Sequence, residues 1–177
     1  MHNCGILQQT HDPADLQIMK PNPHYQAIIS SPIGLLGIIM EEGILHSIDF
    51  MPDNTAPQAT VDNATAQVVS QLQHYFRQAG WMFSLPMLPV GTPFQQAVWQ
   101  QLQQIPAGEV RTYGEIAKIL GSGPRAVGNA CRKNPIPVVI PCHRVVASSG
   151  PGGYAGQTQG PNMTIKSWLL AHEGVII

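Results

Sequence analysis

"TYGEIAKILGSGPRAVGNACRKN", residues 112–134, decides the reading of the fold. Thr112 stands three residues before Glu115, the capping-box spacing that opens a helix, and Gly121 closes it. After the short turn "SGP", Pro124 takes the first position of a second helix. Two short helices joined by a glycine-containing turn form a helix-turn-helix. Arg125, Arg132 and Lys133 give the second helix its charge, while Ala126, Gly128, Asn129 and Ala130 keep it thin. Such units also serve as plain packing elements, so charge has to decide between the two uses. Residues 1–90 carry two basic against seven acidic side chains, a net −5, and residues 91–177 carry seven against three, a net +4. A polyanion is drawn to the second half and repelled by the first.

Working outward, "GTPFQQAVWQQLQQIPAGEV" has Thr92 as N-cap, Pro93 at the first helical position and Gln95 completing a capping box. Phe94, Ala97, Val98, Leu102 and Ile105 follow at helical spacing. Upstream, "YQAIISSPIGLLGIIMEEGILHSIDF" reads as a β-meander broken at "SPIG" and "EEG". "DNATAQVVSQLQHYFRQAG" reads as a helix from Asp62 to a stop at Gly80, with Val68, Val69, Leu72, Tyr75 and Phe76 on one face. "SLPMLPVGT" reads as a connector. Residues 1–23 read as a loose arm containing Pro13, Pro21 and Pro23. Downstream, "PIPVVI" is the last strand candidate, and "MTIKSWLLAHEG" is a final helix capped near Asn162 or Thr164 and stopped by Gly174. The predicted fold is α+β: a small N-terminal antiparallel-sheet-plus-helix domain over 24–88, then a mostly helical domain over 89–177 containing the helix-turn-helix.

No apolar run reaches the roughly 18–20 residues that span a bilayer, and the N-terminus lacks the pattern of a signal peptide. The expectation is a soluble, cytoplasmic protein with no membrane contact. Cys4, Cys131 and Cys142 are too few and too scattered for a disulfide framework, and no CxxC pair advertises zinc. Cys4 with His2, His11, His24 or His46 matches no standard ligand spacing, so no metal is expected.

"NPIPVVIPCHRVVASSG", residues 134–150, carries the chemistry. Pro141 cannot donate to a sheet ladder, so the apolar run ends there and Cys142 is presented at a turn. A thiol of ordinary pKa is about 3% thiolate at pH 7, so it needs a partner. His143 is the candidate, though sequence neighbours point apart, and a bridging water would relay the proton. The histidine in turn needs an orienting acceptor. Of the three acids in the second half, Glu173 in "LAHEG" fits best. Cys131, on an apolar helix face, reads as a buried structural cysteine. A Cys-His hydrolase would place its histidine far from its cysteine, which argues against that use of the pair.

With these residues assembled, the chain resembles the O6-alkylguanine-DNA alkyltransferase family, also called methylated-DNA–protein-cysteine methyltransferases. The resemblance rests on "IPCHRVV", and extends through "GTPFQQAVWQQLQQIPAGEVRTYGEIAKILGSGPRAVGNACRKN", "GGYAG" and "KSWLLAHEG". The N-terminal half fits more loosely, as an RNase H-like domain. The resemblance implies direct-reversal DNA repair: duplex DNA is bound in the minor groove, the damaged nucleotide is flipped, and the alkyl group on guanine O6 passes irreversibly to Cys142. It implies that His143, oriented by Glu173, takes the thiol proton through water, that Tyr113 helps protonate the leaving guanine, and that Asn134 braces the turn. It assigns DNA contact to Thr112, Arg125, Ala126, Gly128 and Arg132, with Arg125 filling the place of the flipped nucleotide. It assigns the guanine pocket to Val145, Tyr154 and Ala155. It implies a monomer acting once, on double-stranded DNA containing O6-alkylguanine, with no cofactor. "QTQGPN" departs from the family's spacing before the final helix, and Ala155 stands where some members have serine. A non-enzymatic lesion binder of the same family would lack the acceptor cysteine, which is present here.

Overall fold

The computed structural model describes residues 24–60 and 62–176, so the N-terminal arm with His2, Cys4 and His11 lies outside the described residues. The meander forms as expected: β1 (Ala27–Ser31), β2 (Gly34–Glu41) and β3 (Ile44–Met51) pair antiparallel in the order β1-β2-β3. The first turn is held by Ser31 Oγ donating to the Gly34 carbonyl, and Gly34 has φ +104°. The second passes through Glu42 and Gly43, both left-handed, as a two-residue hairpin loop requires. A bulge between Ile39 and Met40 shifts the β2–β3 register.

Helix α1 (Asn63–Arg77) starts at Asp62, whose carboxylate accepts from the Thr65 backbone N–H at 2.7 Å. It ends at Arg77 rather than at Gly80, because Gln78 turns extended while its N–H still reaches the His74 carbonyl. Val68, Leu72 and Tyr75 are buried in the same cluster as Leu36, Ile38, Leu45 and Ile48 of the sheet.

The helical part holds α2 (Pro93–Gln103), α3 (Tyr113–Ile119), α4 (Pro124–Arg132) and α5 (Pro161–His172), with β4 (Arg111–Thr112) and β5 (Val145–Val146) paired in parallel. Both expected capping boxes, at Thr92 and Thr112, are formed. α3 closes in a Schellman turn: Ser122 N–H reaches the Ala117 carbonyl at 2.8 Å, and Gly121 has φ +58°. That turn throws the chain directly into α4, which packs against α3 and α2. Trp99 of α2 donates its indole N–H to the Ala130 carbonyl of α4 at 2.9 Å. The buried cluster runs unbroken from the sheet through Val98, Ile116, Val127, Ile140 and Leu169. Ile48 of β3 donates its N–H to the Pro135 carbonyl, tying the sheet edge to the helical part.

Two further expectations fail. "PIPVVI" is not a strand but a buried turn, in which Ile140 N–H reaches back to the Ile136 carbonyl and Val138 has φ +73°. Pro135 and Pro137 remove two of the donors that a ladder needs, so the apolar residues are buried by coiling instead. Helix α5 begins at Pro161 behind Gly160, with no side-chain cap from Asn162 or Thr164. Gly160 sits at φ +87° and ψ −163°, a conformation that suits glycine, and proline at the first position needs no N–H partner. Among the described residues no helix is long and apolar enough to cross a membrane.

Candidate active site

Cys142 opens a single 3-10 turn, Cys142–Arg144, directly after the coiled segment. Its thiol is buried, and Asn134 supports it. Asn134 Nδ2 donates to Cys142 Sγ at 3.2 Å and to the Ile140 carbonyl at 2.8 Å, while its Oδ1 accepts from Ile136 N–H. One amide therefore ties both ends of the turn to the sulfur. Burial pushes the thiol pKa up, and the Asn134 bond and the nearby Lys166 charge offset only part of this. The resting sulfur is a protonated thiol.

His143 is fully buried beside it, with Nε2 3.0 Å from Glu173 Oε1. Burial would raise the Glu173 pKa, but hydrogen bonds from His143 and Arg144, with the Arg144 charge, outweigh it and hold the carboxyl at about 2. Glu173 is thus a carboxylate and only accepts, which puts the imidazole proton on Nε2. Burial holds His143 below its usual pKa despite Glu173, so the ring is neutral and Nδ1 is its free base. Nδ1 is buried without a protein hydrogen-bond partner. No direct hydrogen bond joins His143 to Cys142, as their adjacency in sequence suggested.

Glu173 is the C-cap of α5, placed there by a Schellman turn through Gly174. A carboxylate at a helix C-terminus is disfavoured by the helix dipole. Arg144 compensates with a fork: Nε to Oε2 at 2.9 Å and Nη2 to Oε1 at 2.8 Å, with Nη1 on the Ile105 carbonyl.

A cavity of about 380 Å³ opens onto Cys142. Arg125, Gly128 and Arg132 of α4 form one wall, Tyr113 at the start of α3 another, and the loop from Gly153 to Thr158 the third. Its volume lies within the range of small-molecule sites. Tyr113 donates to the Gly153 carbonyl at 3.1 Å, and burial first, then the two nearby thiols, push its pKa up to about 12. The Tyr154 hydroxyl is buried beside the Cys142 thiol, and burial first, then that neighbour, raise its pKa. A Cβ on Gly152 would stand 2.9 Å from the Tyr113 ring, and one on Gly156 would strike Arg132 at 2.6 Å. Glycine is what lets the loop lie this close to both side chains.

Of the residues singled out in the sequence, Cys142, Tyr113, Arg125, Gly128, Arg132, Tyr154 and Ala155 share this cavity. His143 and Glu173 lie behind the thiol, and Asn134 borders a second cavity of about 130 Å³ on the sheet side. Three residues lie elsewhere. Thr112 Oγ1 is engaged in its capping box. Ala126 borders a separate groove with Phe94 and Lys133. Val145 is buried in β5, and its carbonyl accepts from Lys166. Cys131 is buried and borders both cavities that reach Cys142.

Sequence reasoning missed Lys166, Arg144 and Tyr75. Lys166 is fully buried and donates to the carbonyls of Val145, Pro151 and Gly153, so it staples the pocket loop to β5. Burial lowers its pKa to about 8, against the raising effect of the two thiols. A lysine set among Ile165, Leu169 and Leu170 was the available signal. Among the described residues no group of three His, Cys, Asp or Glu side chains is placed to hold a metal ion.

Fold and site together define a class: an α+β protein whose helical half presents the buried Cys142 thiol at a pocket walled by a short helix pair, with a neutral histidine fixed by a carboxylate behind it. Residues 24–89 match the ribonuclease-like domain of the 6-O-methylguanine DNA methyltransferases, and residues 93–175 match their DNA binding domain. A methylated-DNA–protein-cysteine methyltransferase of Methanosarcina acetivorans is 40% identical over 158 residues, 85% of this chain and 98% of that protein. The crystal structure of the Mycobacterium tuberculosis O6-methylguanine methyltransferase superposes with a TM-score of 0.70 at 37% identity, covering 85% of this chain and 92% of that one. A crystal structure of Mycobacterium tuberculosis OGT in complex with DNA gives 0.68 at 36% identity, covering 83% and 91%. The chain belongs to the 6-O-methylguanine DNA methyltransferase family.

Proposed function

We propose that the protein repairs duplex DNA by transferring the alkyl group from O6 of alkylguanine to Cys142, once per molecule. The observation that carries this reading is the pairing of a pocket ending on the Cys142 thiol with the neutral, carboxylate-fixed His143 behind it. Sγ attacks the alkyl carbon, the carbon–O6 bond breaks, and its electron pair stays on the guanine. The thiol proton passes to His143 Nδ1 through water, the guanine is protonated on nitrogen by Tyr113, and the tyrosine regains its proton from the imidazolium through solvent. Net, one S–H and one O-alkyl bond become one thioether and one N–H on neutral guanine, so no cofactor enters the balance.

In this reading residues 24–88 support the site and residues 89–177 bind DNA and accept the alkyl group. α3 and α4 act as a helix-turn-helix in the minor groove, where Gly128 allows close approach. Arg125, exposed at the pocket mouth, takes the place of the flipped nucleotide. Unstacking costs a few kcal/mol, which the wedge and the pocket contacts offset. The thioether is stable, so a monomer is consumed with each lesion.

Intact mass after mixing with a duplex carrying one O6-methylguanine tests the proposal. A gain of one methylene on the Cys142 peptide, stopping at one equivalent and absent in Cys142→Ala, is expected. Tight lesion binding with no mass gain would instead assign the protein to damage sensing.

A further inference from the structure

We propose that Tyr75, on helix α1 of the sheet domain, is a positioning residue for alkyl transfer: its hydroxyl holds Glu173 in the orientation that aligns His143. The inference rests on the alkyl-transfer reading above.

Glu173 Oε1 receives three donors, Tyr75 Oη at 2.7 Å, Arg144 Nη2 at 2.8 Å and His143 Nε2 at 3.0 Å. Arg144 and His143 both come from the 3-10 turn, so both move with the thiol. Tyr75 comes from another element 98 residues away in sequence and gives the carboxylate a fixed point outside that turn. Tyr75 is itself held at both ends. Its backbone carbonyl accepts from His172 Nε2 at 2.8 Å, and its ring packs edge-on against His172 and beside Phe76 and Phe83. His172 precedes Glu173, so α1 grips the end of α5 through two adjacent residues. The tyrosine is fully buried, and burial and the Glu173 charge raise its pKa, so it is a neutral donor at every working pH.

Such a donor does more than fill space. A carboxylate oxygen shared among three donors attracts the imidazole proton less than one shared between two. Tyr75 therefore tempers the basicity of His143 as well as fixing its partner. The charged groups facing His143 are Glu173 and Lys166 from α5 and Arg144 from its own turn. From α1, Tyr75 acts on it through Glu173, with His172 against the tyrosine ring. The sheet domain thereby contributes a group to the chemistry.

The test uses the full chain with Tyr75→Phe, and with 3-fluorotyrosine, a stronger donor, placed at position 75. Single-turnover transfer is followed against pH, His143 is titrated by NMR, and duplex affinity is measured. For Tyr75→Phe the expected result is unchanged affinity, transfer roughly tenfold slower, and the acid limb of the profile and the His143 titration both moved to higher pH. The fluorotyrosine protein moves both the other way and keeps most of the rate. A slower Tyr75→Phe with an unmoved acid limb and an unmoved His143 would reduce Tyr75 to packing and overturn the proposal, as would an unchanged rate. Should Tyr75→Phe fail to fold, an unmoved titration in the fluorotyrosine protein overturns it equally. If the wild-type protein transfers nothing, the alkyl-transfer reading fails, while the NMR titration still decides the Tyr75 contact.

Discussion

Glu173→Gln isolates the charge at the centre of the site while keeping its shape. The carboxylate accepts four hydrogen bonds, from Tyr75, His143 and two nitrogens of Arg144. A glutamine has one acceptor oxygen and one amide nitrogen, so some donor must face another donor. The less costly arrangement keeps its oxygen toward Tyr75, His143 and Arg144 Nη2, and sets its amide against Arg144 Nε. Removing one partner of a buried ion pair costs about 3–5 kcal/mol. Three of the four bonds survive here, so the low end, about 3 kcal/mol, applies. For a chain of this length that lowers Tm by about 6–12 °C. The penalty depends on pH in a fixed direction. The folded carboxyl titrates near 2 against an ordinary 4.5, so its contribution is complete above 4.5 and is lost as pH falls toward 2. The two melting curves should converge across that window. Transfer suffers more, because the imidazolium formed from His143 loses its counter-charge. A general-base contribution of about 10²-fold sets the scale. Single-turnover intact mass at pH 7, with thermal melts from pH 7 to 2, measures both effects. A transfer rate within about twofold of wild type would refute the role of Glu173, whatever the melt shows.

Arg125→Ala should slow repair in duplex DNA far more than reaction with free O6-benzylguanine, in parallel single-turnover assays; equal losses would remove Arg125 from nucleotide flipping. Asn134→Ala strands Ile136 N–H, leaves the Ile140 carbonyl with the Cys142 N–H as its donor, and removes the donor on the sulfur. A stability loss of about 1–3 kcal/mol in urea unfolding is expected, with slower transfer at neutral pH as the thiol pKa rises further. Lys166→Met leaves three carbonyls without their shared donor, so hydrogen exchange over the loop at 151–157 should accelerate. Lys166 titrates near 8 in the fold against 10.5 ordinarily, so the unfolded chain binds more protons between those values and wild-type stability gains with rising pH. That gain should be absent from Lys166→Met.

Local grammar was enough for most of the helices. The capping boxes at Thr92 and Thr112, Pro124 at a first helical position and Gly121 in its turn are interactions among residues within about five positions, and such interactions can be read from order alone. The meander was legible for the same reason, since its two turns are set by Gly34 and by Glu42 with Gly43. Cys142, His143 and Glu173 were legible as chemistry, because a thiol needs a base and a base needs an acceptor. What only the tertiary structure decided came from distance in sequence. "PIPVVI" satisfies its backbone by coiling against Asn134, which no strand pattern could reveal. Lys166 looks surface-bound until three carbonyls from two other segments converge on it. Tyr75 reads as one more apolar position on α1 until folding brings Glu173, 98 residues later, within 2.7 Å of its hydroxyl. Residue types and spacing determine which groups can react. Which of them are held still, dry and correctly charged depends on burial and on partners from remote segments, and those exist only once the chain has closed.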